Sequence, residues 1–192
     1  TYVSGTDAVM DMAIGRIPAR SPQQAKDYVD KVVAYVDPSQ TDFGNWRNSL
    51  LFVADDDIVK GAAQFIEKIH ITDTEDLAEH YTPQIFDIRK LYLTEFPGVQ
   101  SASISGIRKP SATEALLRQM NSGALIINYI GHGAPQLWSD ERVLNFTTDF
   151  EKIQNGPRQA FWVTATCDFG RFDNPKEQSF AEEILLTPGR GA

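Results

Sequence analysis

Three apolar runs, each ending on a polar or reactive side chain, constrain this 192-residue chain more than any other feature. Leu50-Leu51-Phe52-Val53-Ala54 runs into Asp55-Asp56-Asp57, and Ala124-Leu125-Ile126-Ile127-Asn128-Tyr129-Ile130 into Gly131-His132-Gly133. The third, Ala160-Phe161-Trp162-Val163-Thr164-Ala165-Thr166, runs into Cys167. Runs that do not alternate apolar with polar predict strands covered on both faces, as in parallel sheets. The segments between them carry helical periodicity and lack tight hairpin turns. The chain is therefore predicted to be α/β, with a mainly parallel sheet flanked by helices.

The helices are placed by caps and spacing. Ser21 followed by Pro22 opens one helix. Its buried stripe is predicted to be Ala25, Tyr28, Val29, Val32, Val33 and Val36, with Lys26, Asp27, Asp30 and Lys31 outside, and Asp37-Pro38 closes it. Ser111-Ala112-Thr113-Glu114 reads as a capping box opening a helix to about Asn121. Two helical pieces, 62–69 and 74–80, are separated near His70-Ile71-Thr72-Asp73, and a last helix covers about 177–186. Residues 12–18 read as a short strand or extended lead-in, 84–93 as a weaker strand and 97–110 as a surface loop. Trp162 is predicted to be core, whereas Trp138, just past the His turn, is read as a wall of a substrate pocket.

Composition removes several function classes. Lys and Arg number 18 against 26 Asp and Glu, a net charge of −8, which argues against nucleic acid as partner. No apolar run approaches the ~20 residues of a membrane span, so no direct membrane insertion is expected. Residues 1–11 show no signal-peptide pattern. The chain reads as a single domain over 1–192, in an N-terminal part (about 1–110) and a catalytic part (about 111–192), cut from something longer at both ends. With one cysteine, an internal disulfide and a Cys-rich zinc site are both excluded. His70, His80 and His132 lack tight ligand spacing, so no metal and no cofactor is expected. Asp55-Asp56-Asp57 is read as a solvated loop and helix start, with a calcium site as the alternative.

The chemistry is expected where strands end. Ligands of open α/β sheets bind outside the carboxyl ends of the strands. His132 and Cys167 each follow a predicted strand, and on neighbouring strands they would emerge about 5 Å apart, as a nucleophile and its proton acceptor. The N–H groups of Gly133 and Cys167 are the candidate oxyanion donors. The competing reading is a non-catalytic α/β binding domain with a structural Cys167 and an ordinary Gly-His-Gly turn.

Four segments carry a resemblance: Ala13-Ile14-Gly15-Arg16-Ile17-Pro18, Leu51-Phe52-Val53-Ala54-Asp55-Asp56, Asn128-Tyr129-Ile130-Gly131-His132-Gly133, and Val163-Thr164-Ala165-Thr166-Cys167-Asp168-Phe169-Gly170-Arg171-Phe172-Asp173. Together they resemble the gingipain-type, caspase-like cysteine peptidases. The local wording is closest to the branch acting as sortase, or signal peptidase, of the type IX secretion system of Bacteroidetes. The resemblance implies a three-layer caspase-like fold, with Cys167 as nucleophile, His132 as base and Asp73 as the acidic residue orienting the imidazole. It further implies a polypeptide substrate, the C-terminal sorting domains of secreted cargo, with transfer of that cargo to a surface glycolipid as a further step. Other type IX components are implied as partners, and the cell surface or outer membrane, or secretion, as the location. Arg171 and Asp173 are expected to pair and stiffen the loop after Cys167.

Overall fold

All six residues of the first strand, β1 (Ser49–Ala54), are buried, because it lies inside a four-stranded parallel sheet with helices on both faces. The computed structural model describes residues 12–56, 69–101 and 106–192. Helix α1 (Pro22–Val36) precedes β1. After β1 come α2 (Ile69–His80), β2 (Asp87–Tyr92), a short antiparallel pair β3 (Val99–Gln100) and β4 (Ile107–Arg108), α3 (Pro110–Ser122) and β5 (Ile126–Ile130). A small meander of β6 (Gly133–Ala134), β7 (Leu137–Trp138) and β8 (Leu144–Asn145) leads into one-turn α4 (Phe146–Asp149). Strand β9 (Phe161–Ala165) and α5 (Phe180–Leu186) follow. The main sheet runs β2-β1-β5-β9, parallel throughout.

The period-two geometry of β1 divides the core. Leu50 and Phe52 face α2, packing with Leu77 and Ala78. Leu51 and Val53 face the other way, where Leu116 and Met120 of α3 meet Phe180 and Ile184 of α5. This is the predicted three-layer α/β arrangement, with α1 packed outside against α5. No helix of the described residues is long and apolar enough to cross a membrane.

Several local expectations are corrected. On α1 the buried residue is Lys31, while Val29, Val32, Val33 and Val36 are exposed. Lys31 Nζ donates to Ile184 O and Leu185 O (both 2.9 Å) and to Arg190 O (3.0 Å). A cation that satisfies the carbonyl end of α5 outweighs the valine stripe in setting the helix's rotation. Its burial pulls the Lys31 amine down to about 8. Strand β9 alternates between exposed and half-buried residues instead of being covered on both faces, because among the described residues it is the sheet edge and pairs with β5 alone. Trp162 packs against the core as predicted, but Phe161 and Val163 are exposed.

The capping box forms at Ser179 and Glu182, ahead of α5, not at Ser111 and Glu114. Pro110 already opens α3 behind Lys109, which places Ser111 inside the helix. Helix α5 correspondingly begins at Phe180, not at 177. Helix α2 runs unbroken through 70–73; residues 62–68 of the predicted first piece, like Asp57 and residues 1–11, lie outside the described residues. Residues 12–18 form no strand, and the predicted loop over 97–110 contains the β3–β4 pair, with 102–105 outside the description.

Candidate active site

Three adjacent strands end level with one another: Ala54 pairs with Ile130, and Ile130 with Ala165. The ladder runs one step further. Asp55 N–H donates to Ile130 O (3.0 Å) and Gly131 N–H to Ala165 O (3.3 Å). Asp55, one residue past its strand, and His132 and Cys167, each two past theirs, therefore come from neighbouring strand ends at the carboxyl edge of the sheet.

The His132 turn is fixed from below. Tyr129, fully buried, stacks on Trp138 with ring centroids 4.3 Å apart and planes 8° from parallel. Trp138 is thus core beneath the site, not the pocket wall the sequence suggested. The Tyr129 hydroxyl donates to His132 O (2.7 Å), with Asp55 Oδ2 more distant at 3.4 Å. His132 N–H donates to Asp55 Oδ2 (2.9 Å), and Ser139 N–H donates to His132 O (2.8 Å). Both backbone groups of His132 are therefore held by rigid partners. A Cβ on Gly131 would stand 2.4 Å from Tyr129 Oη and 2.5 Å from Asp55 Cβ, so this close approach requires glycine.

Cys167 is exposed, which a structural thiol would not be. Asp168 takes a left-handed conformation (φ 54°), tolerated by Asp better than by most residues. The chain reverses there, sending Phe169 into the core at 1 % exposure and leaving Cys167 at the rim. Arg171 lies 3.8 Å from Asp173, as expected, and 3.9 Å from Asp168; these exposed pairs contribute little. The His and Cys turns touch directly, since a Cβ on Gly133 would meet Thr166 Oγ1 at 2.3 Å. The Ser139–His132 bond makes Gly133 and Trp138 a pair without mutual hydrogen bonds, so the Gly133 N–H points away from the hairpin.

The acidic cluster is buried rather than solvated: Asp55 is 1 % exposed and Asp56 4 %. Asp56 is compensated by Lys109 at 2.6 Å, while Asp55 accepts the N–H groups of His132 and Asp56. Glu141 joins them, with one carboxylate oxygen of each within 4.8 Å of the others. Burial raises the carboxyls of both Asp55 and Glu141 above the ordinary carboxylate range, and the like charge of Asp56 adds to each shift. Folded protein then binds more protons than unfolded protein just above that range, so these groups make stability fall as pH rises through it. Glu141→Gln is expected to stabilise the protein at pH 7 and to lose that advantage near pH 4.5. Urea unfolding at the two pH values checks this; equal differences at both would contradict it.

Against His132 the structure brings His70 of α2, edge to face, with centroids 5.0 Å apart and an 89° interplanar angle. His70 is thus a neighbour of the site. Asp73 is exposed on α2 and makes no hydrogen bond to His132. His80 pairs with exposed Asp76 (3.0 Å), away from the cluster. Asp55 and His70 are the site residues that the sequence reading undervalued. The signal for Asp55 was present, since it ends an apolar strand just as His132 and Cys167 do.

Comparison with known proteins agrees with this fold. The crystal structure of the Arg-specific cysteine proteinase gingipain R (RgpB) superimposes with a TM-score of 0.70 at 21% identity, covering 98% of this chain and 40% of that one. The complex of Porphyromonas gingivalis RgpB pro- and mature domains gives 0.66 at 21% identity, with 98% and 40% covered. A further structure, described only as a protease, gives 0.60 at 19% identity over 91% and 33%. At such identities the likeness establishes the fold, and the chain spans about two-fifths of the gingipain chains. No curated protein matches the chain. The sequence model of peptidase family C25, however, matches residues 1–192, and with the whole chain matched, this protein belongs to peptidase family C25.

Proposed function

We propose that the chain carries the catalytic groups of a cysteine endopeptidase acting on polypeptides. What supports the reading is that an exposed thiol, Cys167, and a histidine held through its backbone, His132, follow the ends of adjacent parallel strands. Cys167 Sγ attacks the scissile carbonyl carbon while His132 takes the thiol proton. The carbonyl oxygen, now negative, is received by the N–H groups of Gly133 and Cys167. Collapse expels the amine, which leaves with the proton held by His132, and a thioester remains on Cys167. Water, deprotonated by His132, cleaves the thioester and regenerates the thiol. Asp55 acts as a positioning residue, since it holds the backbone of His132 rather than the substrate.

A narrower reading rests on the four segments that resemble the type IX secretion sortases. In it the protein works at the cell surface on C-terminal sorting domains, and an amine of a surface glycolipid replaces water at the thioester. The test of the broader reading is cleavage of an unfolded protein substrate before and after alkylation by iodoacetamide. Loss of cleavage in proportion to Cys167 modified is expected; cleavage that survives full modification would overturn the reading. Peptide products joined to an added amine would favour the sortase branch, and hydrolysis alone would count against it.

A further inference from the structure

Asp55 is a buried carboxylate without a cationic side chain against it. Its oxygens receive the N–H groups of His132 (2.9 Å) and Asp56 (2.8 Å). Among the described residues no Lys or Arg pairs with it, because neighbouring Lys109 is engaged by Asp56 at 2.6 Å. Two imidazoles converge on it from different elements, His70 from α2 and His132 from the turn after β5. One nitrogen of each ring and one Asp55 oxygen all lie within 4.8 Å of one another. We propose that Asp55, His70 and His132 bind one divalent transition-metal ion, with zinc the best match to the donors, and that this ion switches the site off. The switching clause, though not the binding site itself, rests on the peptidase reading above.

The donor set argues for the class of ion. Two imidazole nitrogens and one carboxylate oxygen suit zinc and its first-row neighbours, whereas calcium takes six to eight oxygens. At zinc–ligand lengths of about 2.0–2.2 Å, tetrahedral donors stand roughly 3.4 Å apart. Closing from within 4.8 Å requires ring movements of about 1 Å. Asp55 is anchored by two N–H donors, so the two imidazoles do the moving. A cation placed there supplies the opposite charge that the buried carboxylate lacks. It also takes up the lone pair with which His132 would accept the Cys167 proton, so cleavage stops without any covalent change.

Titration of EDTA-treated protein with Zn²⁺, and with Co²⁺ as a visible-absorbing probe, tests the site independently of activity. One equivalent is expected to bind with micromolar or tighter affinity. His70→Ala should weaken binding on the order of 100-fold with an unchanged circular dichroism spectrum. His70→Phe keeps an aromatic edge against His132 without its nitrogens and should do the same, which guards against a folding defect in the first variant. Cys167→Ala should bind as tightly as the unaltered protein. The assignment is overturned if no stoichiometric binding occurs at micromolar metal, if both His70 variants bind undiminished, or if Cys167→Ala abolishes binding. Zinc should also suppress cleavage, and EDTA restore it. A protein that binds one zinc yet cleaves nothing in EDTA would support the site and count against the peptidase reading, so the two failures are distinguishable.

Discussion

Cys167→Ala is expected to lower peptide-bond cleavage by about a thousandfold or more, with urea stability changed by less than about 0.5 kcal/mol. The two halves of this expectation have separate causes. Cys167 is exposed, so its sulfur contributes little packing, and the reversal that follows it depends on the backbone of Asp168 and on buried Phe169. Yet no other cysteine exists in the chain, and the hydroxyl of the preceding Thr166 does not stand in for it, since Thr166 Oγ1 is buried against Gly133. The N–H donors of Gly133 and residue 167 survive the substitution, so a small residual rate over water remains. Initial rates on an unfolded polypeptide, with unfolding curves for both proteins, measure the two parts. A variant that retains more than a tenth of the rate would contradict the assignment of the nucleophile.

Lys109→Met is expected to cost about 3–5 kcal/mol, because it removes the cation that compensates the Asp56 charge in a dry environment. Lys109 and Asp56 side chains are 7% and 3% exposed, and Lys109 Nζ also donates to Leu93 O. Glu141 is buried beside them, which adds negative charge to the pocket once the cation is gone. For a chain of this length the melting temperature should fall by roughly 6–20 °C. Pairing the change with Asp56→Leu should recover much of the loss, since removing both charges removes the desolvation penalty. A loss below about 1 kcal/mol in the single variant, or no recovery in the double, would show that water reaches the pair.

The class of fold was legible because strands buried on both faces leave unbroken apolar runs, and β1 and β5 are such strands. Strand β9 was misread for the same reason. Its composition matches theirs, but exposure depends on which strands stand beside it, and β9 stands at the edge. Helix α1 shows the converse. Its valine stripe follows the pattern of a buried face, yet three carbonyl acceptors around Lys31 decide its rotation, and those acceptors lie about 150 residues away. The two capping-box signatures differ only in context: Pro110 claims the first position of α3 and displaces Ser111, whereas nothing competes with Ser179.

The placement of His132 and Cys167 just past strand ends was legible because apolar runs and, for His132, flanking glycines mark those positions locally. The companions of His132 were not, because α2 brings His70 over the sheet and β1 brings Asp55 beside it. Such pairings are set by strand order, not by spacing along the chain. Asp73 matched the expected position in sequence, but the unbroken α2 leaves it exposed.

The central claim is that Cys167 and His132 act as one unit, and the rate of Cys167 alkylation at pH 7 tests it most directly. In the unaltered protein, iodoacetamide should modify Cys167 at least about tenfold faster than in His132→Ala, because the imidazole is the group that takes the thiol proton. Alkylation at the same rate in both, with Cys167 equally exposed in each, would contradict the account.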